Sequence, residues 1–144
     1  MESVAALGLD IGRKRIGVAG CDRLGLLATA LTTIERTTLE ADLAAIGHWV
    51  EQRKVKVLVV GLPYAMDGTL GKQAKHTQKF ARKLAAALGL PLEYVDERLT
   101  SVEAENQLKA EKQYDRQQKG RVDQRAAQII LQQWLESRRA ALTV

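Results

Sequence analysis

Residues 55–61 read Val-Lys-Val-Leu-Val-Val-Gly. A run this rich in β-branched side chains suits a strand covered on both faces rather than one with a wet side. Such a strand needs helices above and below it. The segments flanking it supply the helical period. Leu39, Leu43, Ile46 and Val50 make one stripe ahead of the run, with Thr37 and Glu40 at capping-box spacing. Behind it, a second helix runs from about Gly71 to Leu88, closed by Gly89 and followed by Pro91. Upstream, Val4–Asp10 and Ile16–Cys21 are short apolar runs separated by a tight turn, which predicts an antiparallel hairpin. After a turn at Asp22–Gly25, Leu26–Ile34 extends the hairpin to a meander. Downstream, Leu92–Asp96 is a fifth strand, and Thr100 and Glu103 open a helix to about Lys112. A polar stretch over 114–120 leads to a last helix from about Val122 to Arg138.

This order, β-β-β-α-β-α-β-α-α, predicts an α/β fold with a five-stranded mixed sheet and helices on both faces. The 144 residues suffice for one domain, 1–144. With 46% hydrophobic and 27% charged residues the chain is globular rather than disordered. Aromatics are only 4%, so the core is mainly aliphatic and a reading built on rows of base-stacking rings is weakened. Lysines and arginines number 22 against 17 acids, a net charge of +5 that favours a polyanionic partner. Cys21 stands alone, which excludes an internal disulfide and a cysteine-built metal centre. The sequence shows neither a signal-peptide pattern nor an apolar stretch of membrane-spanning length, so a cytoplasmic location is expected.

In sheets of this kind ligands bind beyond the carboxyl ends of the strands. Acids collect there. Asp10 ends the first strand and shares a face with Ala6 and Gly8. Asp96 and Glu97 end the fifth strand, and alternation sends at most one of them to the face of Asp10, without saying which. On the last helix, Asp123 falls within about 60–80° of Ala126, Ala127, Ile130, Leu131 and Trp134, on the packing side. An inward carboxylate is costly unless it is paired, hydrogen-bonded or bound to a metal. Taken singly, each acid reads as a turn, surface or helix-cap residue. Taken together, they suggest an oxygen-only ligand set, which suits Mg²⁺ or Mn²⁺.

Cations surround these acids in the sequence. Arg13, Lys14 and Arg15 directly follow the first strand. From Gly68 to Leu92 there is no acid, and Lys72, His76, Lys79 and Lys83 fall within about 60° of helical arc. Helix faces that are merely solvated usually mix both signs, so this stripe is a candidate phosphate contact. Lys119 and Arg121, just ahead of Asp123, are a second candidate clamp.

Four blocks carry a family resemblance: residues 8–19 (GLDIGRKRIGVA), 60–69 (VGLPYAMDGT), 95–100 (VDERLT) and 119–127 (KGRVDQRAA). In this order and over nearly the whole chain, they resemble the YqgF family, also called RuvX, described as Holliday-junction resolvases and pre-16S rRNA nucleases. The resemblance implies a ribonuclease H-like fold. It also implies that Asp10, Glu97 and Asp123 are the catalytic, metal-holding acids, with Asp96 a structural neighbour. One departure is Cys21, where relatives commonly carry Ser; it leaves the acids untouched.

The expected function is a metal-dependent endonuclease acting on structured nucleic acid, in pre-16S rRNA processing, Holliday-junction resolution or both. One or two Mg²⁺ or Mn²⁺ ions would be its cofactors. Arg13, Lys14, Arg15, Lys72, Lys79, Arg98, Lys119 and Arg121 would contact the nucleic acid. Paired cutting of a two-fold substrate would suit a homodimer. The alternative is a non-catalytic nucleic-acid-binding factor of ribosome maturation, in which the acids are structural. An ATP-binding lobe, suggested by the similarity of residues 8–12 to the first phosphate loop of the actin and sugar-kinase group, needs roughly two α/β domains, and this chain has length for one.

Overall fold

The computed structural model describes residues 3–64, 67–97 and 119–142. Its elements are β1 (Ala6–Ile11), β2 (Arg15–Cys21), β3 (Ala28–Glu35), α1 (Leu39–Arg53), β4 (Val57–Leu62), α2 (Lys72–Leu88), β5 (Leu92–Asp96) and α3 (Lys119–Leu142). The helix expected from Thr100 to Lys112 lies outside the described residues, as does Arg98.

The strands form one five-stranded sheet in the order β3-β2-β1-β4-β5. The meander pairs antiparallel, while β4 lies parallel to both β1 and β5. This is the mixed sheet that the period pattern predicts, with α1 and α2 as the crossovers. Two apolar layers sandwich it. Leu7, Leu9, Ile16, Val18, Leu58 and Val60 pack with Ile46 of α1 and Ala81 and Leu84 of α2. On the other face Ala6, Ala19, Val59 and Val95 pack with Ala127, Ile130, Leu131 and Leu135 of α3. Alternate residues of β4 thus feed opposite layers, as its near-continuous apolar run requires.

Local hydrogen bonds move several boundaries from their expected places. Strand β3 begins at Ala28 rather than Leu26, because the Asp22 carboxylate accepts from the backbone N–H groups of Leu24, Leu26 and Leu27 and holds them in a turn. Strand β4 begins at Val57 rather than Val55, since Lys54 takes the left-handed conformation (φ 51°) and the Val55 N–H still bonds back to Val50. The cap of α1 is Thr38, not Thr37. The Thr38 hydroxyl accepts from the Ala41 N–H at 3.1 Å, while the Thr37 N–H donates to Asp42 Oδ1. The last helix is longer than its apolar stripe, starting at Lys119 and ending at Leu142. Among the described residues no helix is long and apolar enough to cross a membrane.

Candidate active site

Asp10 is the next-to-last residue of β1 and points to the α3 side of the sheet, as its parity with Ala6 requires. Its cross-strand partner on β2 is Gly17. A β-carbon on Gly17 would overlap the backbone carbonyl of Asp123, so the missing side chain is what lets the first turns of α3 lie against β2. The helix is thereby set down with Asp123 beside Asp10. On the other flank of β1, Gly61 of β4 plays the same part for a side chain. A β-carbon there would sit 2.7 Å from Glu97 Oε1 and 2.5 Å from Ile130 Cδ1. Glu97 crosses this bare stretch of β4 and meets Asp10 in a carboxyl–carboxyl hydrogen bond.

Of the two acids at the end of β5, it is Glu97 that meets Asp10. Val95 belongs to the α3-side layer, so Glu97, two residues on, turns the same way and Asp96 does not. The same register, Gly61 opposite Val95 and Leu62 opposite Asp96, sets Glu97 just past the end of the β4–β5 ladder.

The electrostatics follow from crowding out of water. Burial pushes the Asp10 carboxyl up to about 7, and the charges of Glu97 and Asp123 and the hydrogen bond it donates to Glu97 add to the rise. Burial also raises Glu97, with Asp96 adding to the rise, but its hydrogen bond with Asp10 works the other way. Both carboxyls are therefore held more readily protonated than free ones. Asp123 has a different partner: Arg15 Nε donates to its Oδ2 at 2.7 Å, across 108 residues of chain, in a half-buried ion pair. Asp10 and Glu97 are thus in contact and Asp123 is within electrostatic reach. Among the described residues no three His, Cys, Asp or Glu side chains are gathered closely enough to hold one ion as they stand.

The expected cations separate into several places. Arg15 faces Asp123. Arg13 and Lys14 are exposed in the β1–β2 loop, and the Arg13 Nε reaches Gln73 Oε1 of α2 at 3.4 Å. Lys72 and Lys79 are exposed on α2, on the side of the sheet opposite α3. Lys119 and Arg121 are in the first turn of α3, just ahead of Asp123. Arg36 has no sequence signal, yet it pins the loop: its Nη1 donates to the Gly12 carbonyl at 2.7 Å and its guanidinium lies 4.1 Å from the Phe80 ring centre. Cys21 is buried, and burial raises its thiol above the ordinary range, as an inert strand residue requires.

Known proteins share both this sequence and this fold. The RuvX family model, described as Holliday junction resolvase, matches residues 4–137. A protein of a Picosynechococcus species, named "Putative pre-16S rRNA nuclease", is 87% identical over 141 residues, covering 98% of each chain. One of the same name from Rippkaea orientalis is 63% identical over 139 residues, covering 96% of this chain and all of its own. Among solved structures, Thermus thermophilus RuvC aligns with a TM-score of 0.60 at 11% identity, covering 95% of this chain and 97% of that one. The same enzyme in complex with a Holliday junction substrate gives 0.58 at 12% identity, covering 94% and 95%. The fold is ribonuclease H-like, and this chain belongs to the RuvX family of nucleases, hydrolases of nucleic-acid phosphodiester bonds.

Proposed function

We propose that the chain is a divalent-metal-dependent endonuclease that uses Asp10, Glu97 and Asp123 to hydrolyse phosphodiester bonds of structured nucleic acid. Precursor 16S rRNA and four-way DNA junctions are the two substrates suggested by the names its relatives carry. The observation that supports this most is the Asp10–Glu97 contact. Two half-buried carboxyls meet in a hydrogen bond where β1 and β5 end, with the charge of Asp123 bearing on them. A structural acid pair has no need of a third acid nearby. A site for a hard cation does, because opposite charge is what relieves such crowding.

The donor set fits Mg²⁺ or Mn²⁺: carboxylate oxygens only, with no thiolate or imidazole beside them. Asp10 and Glu97 would be the first holders and Asp123 the third. A divalent cation held there would supply Lewis acidity to offset the phosphate charge and lower the pKa of the attacking water. The remaining work belongs to the chain. To hold the cation, Asp10 and Glu97 would give up the proton between them. Asp123 must loosen from Arg15 or carry it along, and Arg15 is then placed to meet a phosphate oxygen.

The alternative, a binding factor without its own cleavage, draws on the same Arg15–Asp123 pair, which ties up the third acid. A cleavage gel in Mg²⁺ or Mn²⁺ separates the two. It would offer a labelled precursor-rRNA fragment and a four-way junction in parallel to wild type and Asp10→Asn. The nuclease reading expects cutting of at least one substrate, lost by about 100-fold or more in the variant. Cutting that persists in Asp10→Asn removes Asp10 from the reaction. Salt-sensitive binding with no cutting by wild type supports the binding factor.

A further inference from the structure

Helix α2 presents two unlike sides. Ala74, Thr77, Ala81 and Leu84 are buried against the sheet. Lys72, Lys75, Lys79, Arg82 and Lys83 stand exposed, and none of them has an ion-pair partner among the described residues. No acid occurs from Gly68 to Leu92 to offset them. Between α2, the start of α1 and the β1–β2 loop runs a groove of about 610 Å³, lined by Arg13, Arg36, Asp42, His76, Lys79 and Lys83 among others.

Much of that lining is already committed. Asp42, the lining's one acid, is 3% exposed; it accepts from the Thr37 N–H at 3.1 Å and lies 3.7 Å from Arg36 Nε. Arg36 is fixed by Asp42, the Gly12 carbonyl and Phe80. What remains for a ligand is Lys79 and Lys83, one helical turn apart on one side, with His76 and the outer N–H groups of Arg13. Beneath them the Thr77 hydroxyl, 2% exposed, has no hydrogen-bond partner.

We infer that this groove is a phosphodiester-backbone site, distinct from the acid site on the other side of the sheet, that holds a nucleic-acid strand by its phosphates. The inference rests on the nucleic-acid reading above and adds a second place of contact. From His76 to Lys83 the lining side chains of α2 extend over about 10 Å of helix, longer than one phosphate and suited to two in a row. The ring of Phe80 is covered by Arg36, so the groove offers charge without a platform for bases. Arg13 closes one end, three residues beyond Asp10, and leads a bound strand from the groove toward the acids.

The test is fluorescence anisotropy in EDTA, so that no cleavage intervenes, with labelled single-stranded RNA and DNA of one sequence over a salt series. Lys79→Glu/Lys83→Glu should weaken both by about 10-fold or more and flatten the log K against log salt slope by roughly 1.4, the share of two phosphate contacts. The control is Arg23→Glu/Lys56→Glu, which makes the same charge change at exposed positions near the other end of the sheet. It should weaken binding less than about 3-fold. Loss with RNA alone or DNA alone also supports the groove and names its ligand. Equal loss in the two double variants reduces the effect to net charge and overturns the inference, as does an unchanged slope or no binding by wild type. The two readings fail separately: cleavage lost in Asp10→Asn together with an unchanged Lys79→Glu/Lys83→Glu slope leaves the nuclease standing and removes the groove.

Discussion

On the α3 side of the sheet Asp10 and Glu97 lie half-buried in hydrogen-bond contact, while on the α1/α2 side Lys79 and Lys83 stand in solvent with no partner among the described residues. Burial makes the difference. In a low-dielectric setting each carboxylate feels its neighbours strongly, so the acids depend on fine placement of backbone and side chain. Lysines in water are screened within about 10 Å at ordinary ionic strength and tolerate loose placement. The acid site is therefore a product of the fold's closest packing, and the basic groove is a product of sequence composition on one helix.

Perturbing the two regions should show this contrast in stability as well as in function. The largest effect is expected from Gly17→Ala, whose new β-carbon overlaps the Asp123 backbone. Displacing α3 should cost about 3 kcal/mol, seen as a midpoint shift in urea and a melting temperature lower by on the order of 10 °C. A melt within 1 or 2 °C of wild type, allowing for roughly that experimental scatter, would mean that the helix can ride up without loss.

Next comes pH. The Asp10 carboxyl is raised from its unfolded value of 3.8 to about 7, so the folded chain holds a proton that the unfolded chain has given up. That contribution is fully present below pH 3.8 and is lost as pH rises through about 7. In EDTA, Asp10→Asn should melt a few degrees above wild type at about pH 8 and level with it near pH 4. Parallel pH profiles for the two proteins would show that Asp10 is not the group held uncharged.

Smaller still is Arg15→Ala. The pair it breaks is half-buried, and its loss should cost about 1 kcal/mol or less by denaturant titration. Least affected is Lys79→Ala, expected within about 0.5 kcal/mol of wild type by the same titration, since an exposed, unpaired lysine holds nothing in place. A larger loss there than in Arg15→Ala would reverse the contrast.

Much of the frame was legible because periodicity reports burial directly. The β4 run announced two covered faces, Asp10 could be assigned a face by alternation, and Asp123 fell on the packing side of its helix. What could not be read was anything set by contacts across the chain. Alternation left Asp96 and Glu97 open at the residue level, since only the packing of Val95 under α3 fixes the face, and that depends on residues over 30 positions away. Family resemblance implies Glu97, and Glu97 is the one of the two that hydrogen-bonds Asp10. Arg15, grouped with Arg13 and Lys14 by sequence, is tied to Asp123 by a bond no local pattern encodes. Gly17 and Gly61 look like ordinary strand glycines until the helix and the side chain that occupy their space are seen. Boundary shifts at Leu26, Val55 and Thr37 trace to single hydrogen bonds that override propensity.

The Arg15–Asp123 bond also bears on the order of events in the life of the chain. A ribosome delivers the hairpin, both crossovers and the basic groove well before it delivers Asp123, so with the proposed roles of groove and acids a nascent chain would gather nucleic acid before it could cut any. Closing a loop of 108 residues is among the slower steps open to a small domain, and here that step and the completion of the acid site are one event. With those roles, folding itself would serve as the safety catch and arm only the finished molecule.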